Sequence, residues 1–169
     1  MVNELPSAVP HLRLGSAGPV LVSVFGNWPN GPMLRAIRRA QLELSKEHRR
    51  VLSLTIIPDV QQLPTIGHQQ PAEREGALAQ SAAIATEVER VTAGSAMVIH
   101  PRGVIGVMVR TFMATLSVMS RSTMPLKTFR TVEEAEAWFA TLPDAPKLSP
   151  GLSRAVTSWL AAQPSARAG

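Results

Sequence analysis

The sequence predicts an α/β fold: a mainly parallel central sheet of about five strands that starts with an N-terminal hairpin, four helices packed on it, and a short C-terminal tail helix. Two observations predict it. Runs such as Val20-Leu-Val-Ser-Val-Phe25 and Val51-Leu-Ser-Leu-Thr-Ile-Ile57 are apolar and β-branched, as buried strands require. Segments with apolar residues at helical spacing alternate with these runs, and such alternation sets strands parallel with helices as crossovers.

Residues 1–10 are polar and hold Pro6 and Pro10, so they read as a flexible leader. Residues 12–14 and 19–25 form the two strands of the hairpin, with Gly15 and Gly18 punctuating the turn. After a loop over 26–32, a helix spans 33–48. Pro32 suits its first turn, and Leu34, Ile37 and Leu44 share one face. Residues 51–57 are the next strand. A loop over 58–71 leads to a helix over 72–92, with Glu73 and Glu75 in its first turn, where the dipole favours acids. Gly94 reads as its C-terminal stop.

Residues 96–99 form a strand ended by His100-Pro101. The helix over 104–119 is the most apolar, and 126–129 is a last short strand. Thr131-Val-Glu-Glu134 is a capping box opening a helix over 132–142, with Ala135, Trp138 and Phe139 facing inward. Residues 143–150 link this domain, 11–142, to a tail in which Leu152, Val156, Trp159 and Leu160 mark a short amphipathic helix. The tail segment as a whole is 143–169.

Composition excludes several function classes. The 169-residue chain has no Cys, which removes disulfides, thiolate metal sites and Cys nucleophiles. Its pI near 11.0 invites a nucleic-acid reading. However, 17 Lys and Arg against 12 Asp and Glu, with no Tyr or Cys to titrate, give a high pI at a net charge of only +5. Four Phe, three Trp and no Tyr make a poor stacking platform. No nucleic-acid partner is therefore expected. With no signal-peptide pattern at the N-terminus and no stretch of membrane-spanning length, the expected location is cytoplasmic, without integral membrane association.

No P-loop, GxGxxG or GxSxG pattern is present, and His11, His48, His68 and His100 do not sit at metal-ligand spacing. Asp59 and Glu73 are too far apart in sequence to argue an acid–base pair. The chain therefore reads as a non-enzyme with no cofactor and no metal.

The candidate partner or ligand surface is His100 and Arg102 at a strand end, Met108, Arg110 and Met113 on the apolar helix, and Trp159 on the tail. A strand end beside a helix start can hold an anion, though a solvated loop is the plainer use. Arg110 in an apolar helix needs a partner, from Glu87 or Glu89 or from a second subunit, or a route to solvent. Methionines can form adaptable surfaces, but with so few aromatics they are needed in the core. Arg35, Arg38, Arg39, Lys46, Arg49 and Arg50 could meet an acidic group. The plainer reading is an exposed helix face.

The segment Ala96-Met-Val-Ile-His100, then Arg110, then Lys127-Thr-Phe-Arg-Thr-Val-Glu-Glu-Ala-Glu-Ala-Trp-Phe139 resembles the STAS-like/SpoIIAA-like proteins, including small members of the STAS/SEC14 type. The element order is similar over 11–142, the specific motif only over its last third. The resemblance implies a non-catalytic regulatory module that works through protein–protein contact, with a protein partner or a homodimer. Its SEC14-like branch implies instead a carrier or sensor of an apolar small molecule or lipid. An enzyme is the least favoured alternative. The family's phospho-switch expects a Ser or Thr at a helix start after the strand–helix–strand unit. The matching stretch here offers only Thr65, in a loop, and Ser81 lies mid-helix. No phosphorylation is expected.

Overall fold

Strands that are buried along their whole length need cover on both faces, and two runs here meet that condition. Val20–Phe25 and Val51–Ile57 carry no exposed residue, and Thr92–Ile99 is buried except at Ser95. The computed structural model describes residues 1–26, 31–57, 88–100 and 124–162. Within them lie β1 (Asn3–Leu5), β2 (Leu12–Ala17), β3 (Val20–Phe25), α1 (Gly31–Glu47), β4 (Val51–Ile57), β5 (Thr92–Ile99), β6 (Leu126–Phe129), α2 (Val132–Phe139) and α3 (Leu152–Ala161).

The six strands form one mixed sheet in the order β1-β2-β3-β4-β5-β6. β1, β2 and β3 pair antiparallel, whereas β3, β4, β5 and β6 pair parallel. The α/β class and the initial hairpin are as expected, but the sheet has six strands and is mixed. The extra strand is β1, inside the expected leader. Its register Asn3↔Ser16 to Leu5↔Leu14 pairs it along β2, and Val2 is buried beside it. Two prolines flag a loose segment, yet neither falls within Asn3–Leu5, so the strand loses no donor to them.

Two glycines read as punctuation lie inside strands instead. The hairpin turn is Gly18-Pro19, and Gly15 sits in mid-β2, where an added Cβ would lie 2.7 Å from Val2 Cγ1 and 3.1 Å from the Trp159 ring. Gly94 does not end a helix. It belongs to β5, which begins at Thr92, and its missing side chain lets Leu142 and Trp138 approach the strand. Both glycines make room for packing partners distant in sequence.

One face of the sheet presents Val20, Val22, Val24, Leu52, Leu54, Ile56, Ala96 and Val98 to α2 and α3, which bury Ala135, Phe139, Leu152, Val156 and Trp159 against it. The other face presents Leu21, Phe25, Val51, Ile57, Met97 and Ile99, with α1 across part of it. The buried residues of α1 are Met33, Gln41 and Leu44, so Met33 takes the inner position expected of Leu34. On this face the Ser23 and Thr55 hydroxyls hydrogen-bond across adjacent strands at 3.1 Å.

The expected capping box forms with one change. Thr131 Oγ1 accepts the Glu134 amide at 3.2 Å, but Glu134 reaches past Thr131 to accept the Arg130 amide at 2.9 Å. Trp138, half-buried, packs on Phe129 with ring centroids 5.4 Å apart. The expected helices over 72–92 and 104–119 lie almost wholly outside the described residues. Among the described residues no helix is long and apolar enough to cross a membrane.

Candidate functional site

Parallel strands in register end together, and that edge is where open α/β sheets bind ligands. Val24 pairs with Ile56, and Ile57 with Ile99, so the carboxyl ends of β3, β4 and β5 are aligned. His100 stands exposed there, its amide donating to the Ile57 carbonyl at 3.3 Å. This hydrogen bond extends the ladder by one residue and fixes where the imidazole leaves the sheet. Of the other expected surface residues, Arg102, Met108, Arg110 and Met113 lie outside the described residues, as does Thr65.

Trp159 is placed differently from the expectation of a partner surface. It is 9% exposed, and α3 docks on its own domain. The Trp159 indole N–H donates to Glu4 Oε2, the same oxygen that Arg13 approaches at 3.4 Å, and the Arg13 guanidinium lies 4.1 Å from the indole centroid. β1 thus supplies the carboxylate that fixes the tail. Nothing local to Asn3–Leu5 signals this, because the partners are 9 and 155 residues away.

The start of α3 is fixed by α2. Glu136 accepts the amides of Gly151 at 3.2 Å, Leu152 at 3.0 Å and Ser153 at 2.8 Å. These are donors that a helix N-terminus leaves without intrahelical partners. Burial pushes the Glu136 pKa up, but the hydrogen bonds from Ser153, Leu152 and Gly151 together hold it below the usual carboxylate value.

The opposite, amino edge of the parallel strands is concave. A cleft of about 870 Å³ runs past Glu47, His48, Arg49, Arg50, Arg90 and Asp144. A recess of about 290 Å³ shares Arg50 and Asp144 with it and is lined further by Glu89, Thr92, Met124 and Pro125. Arg50 donates to Asp144 Oδ2 at 3.2 Å, and both side chains keep substantial solvent exposure. The Thr92 hydroxyl is buried and has no hydrogen-bond partner among the described residues. Leaving such a group unsatisfied costs about 1–3 kcal/mol.

Arg49 and Arg50 belong to the basic run that the sequence shows, whereas Arg90, Thr92 and Asp144 went unmarked. Arg90 and Thr92 read as the end of a helix and Asp144 as linker; the pairing of β4 with β5 brings the first two beside Arg50, and the chain following α2 brings Asp144. Elsewhere in the basic run, Lys46 holds Glu43 at 2.6 Å, and this hydrogen bond lowers the Glu43 pKa. Among the described residues no group of three or more His, Asp or Glu could hold a metal ion. No protein-family model matches the chain, and neither a curated protein nor a solved structure matches it.

Proposed function

We propose that the chain is a non-enzymatic, STAS-like binding module that acts in regulation through contact with a protein partner, at the carboxyl edge of its sheet. The observation that carries this reading is the alignment of the β3, β4 and β5 ends with His100 exposed among them. From there the chain enters 101–123, which holds Arg102, Met108, Arg110 and Met113.

Two features support it. The tail helix spends its apolar stripe within the chain, since Leu152, Val156 and Trp159 are buried. The face under α2 and α3 is occupied from within the chain, with Leu52, Leu54, Val22, Phe139 and Val156 wholly buried between the sheet and the two helices.

Native mass spectrometry of the full chain purified from its own host tests the reading, with a His100→Asp/Arg102→Glu variant beside it. The expected result is a complex with a second protein that the variant loses while retaining wild-type thermal stability. A co-purifying apolar small molecule would overturn it in favour of a carrier, and an unliganded monomer in both samples would also overturn it. Thr65→Ala is expected to leave the complex unchanged, because the module works without the phospho-switch.

A further inference from the structure

The recess at the amino edge combines three features. Its volume of about 290 Å³ sits at the small end of ligand pockets, which run from roughly 300 to 1,000 Å³. It holds both signs of charge: Arg50 against Asp144 and Glu89, with Arg49, Arg90 and Glu47 on the adjoining cleft. Its lining includes Thr92, a residue 2% exposed whose buried hydroxyl has no hydrogen-bond partner among the described residues.

Among the described residues of the recess and the adjoining cleft, three arginines and three acids cancel, so neither a polyanion nor a polycation is favoured over water. A small ligand carrying one charge of each sign matches the lining. We propose that this recess binds a zwitterion of the α-amino-acid type, its carboxylate on Arg50, its ammonium on Asp144, and a polar group on the Thr92 hydroxyl.

The Arg50–Asp144 pair is the closed form of the site. Each residue holds the other where the ligand's opposite charge would sit. Asp144 is 72% exposed, and an exposed pair of this kind contributes little, so a ligand inserting between the two breaks no strong contact. Both partners are then satisfied by the ligand, and a charge-assisted bond to each end replaces one exposed bond. Thr92 can donate or accept, so its hydroxyl suits either end of the ligand or a polar side chain. The site stands at the edge opposite His100 and does not depend on the partner reading.

Titration calorimetry of the full chain against the standard L-amino acids at millimolar concentration tests the proposal. At least one is expected to bind, and its deaminated acid and decarboxylated amine are each expected to bind at least about tenfold more weakly, the loss of one charge-assisted bond. Arg50→Gln and Asp144→Asn should each weaken binding by about tenfold. The sign for Asp144→Asn is decisive, because a plain carboxylate ligand would bind this variant more tightly once its internal competitor is gone. Thr92→Val should weaken binding while raising the melting temperature, since it removes a buried unpartnered hydroxyl; unchanged affinity in this variant would take Thr92 out of the site. Overturning results are no binding by any amino acid, equal binding of the deaminated acid, or affinity that Asp144→Asn leaves unchanged or improves.

Discussion

The Glu136 carboxylate of α2 accepts the Ser153 amide of α3 at 2.8 Å, and the same side chain takes the amides of Gly151 and Leu152. A residue on one helix thus does for another what an N-cap side chain does for its own, where Gly151 has no side chain to offer. Glu136→Ala is expected to cost about 1–2 kcal/mol, at the upper end of cap losses because several donors are orphaned together. Urea denaturation measures the total, and amide exchange over Leu152–Ala161 should rise before exchange in the central strands.

The same contact sets a pH dependence. The folded pKa of Glu136 lies below its unfolded value, so folded and unfolded states both ionise it at neutral pH and its contribution is fully present there. The contribution falls as pH drops below the unfolded value, about 4.3, and is gone once pH passes below the folded pKa. The expected observation is that acid loosens α3 in wild type, and that Glu136→Gln removes this component of the acid transition. Fluorescence of a chain carrying Trp28→Phe and Trp138→Phe, in which Trp159 alone emits, checks it through the titration.

Gly94 is bound to its neighbours by lack of room. A methyl group there meets Leu142, and the Trp138 ring stands 3.5 Å away. Gly94→Ala is expected to destabilise by about 1–3 kcal/mol through overpacking, despite the better strand propensity of Ala. Leu142→Ala in the same chain should recover part of that loss. A double-mutant cycle in chemical denaturation would show a coupling between the two sites, and strict additivity would refute the contact.

Trp159 anchors the tail through both its ring and its N–H. Trp159→Phe keeps an aromatic over the sheet but removes the bond to Glu4, with an expected loss of about 1.5–3 kcal/mol for a hydrogen bond to a charged group. Trp159→Ala should cost about 3–5 kcal/mol. Thermal denaturation should rank wild type, Phe and Ala in that order.

The Ser23–Thr55 bond lies under cover on the face that carries α1. Thr55→Val alone leaves the Ser23 hydroxyl without that partner and should cost about 1–3 kcal/mol, whereas Ser23→Ala/Thr55→Val together should come out near neutral. The pair of denaturation midpoints distinguishes a balanced buried bond from ordinary packing.

Local chemistry determined much of the fold from the sequence alone. The runs at 20–25 and 51–57 are apolar enough to be strands in any context, the Thr131–Glu134 cap marks a helix start, and Leu152, Val156 and Trp159 fall on one helical face. The basic residues Arg49 and Arg50 and the strand-end His100 were also legible. Tertiary structure decided the rest, because the cause lay far along the chain. Asn3–Leu5 is polar and becomes a strand only because β2 offers its edge and Trp159 needs Glu4. Gly15 and Gly94 look like turn residues until Trp159 and Leu142 claim the space of their missing side chains. Arg50, Thr92 and Asp144 share a recess only because β4 pairs with β5 and the chain after α2 folds back over their starts. A sequence records which residues can form strands and caps, whereas contacts such as Trp159 to Glu4, 155 residues apart, depend on which surfaces the assembled sheet brings together.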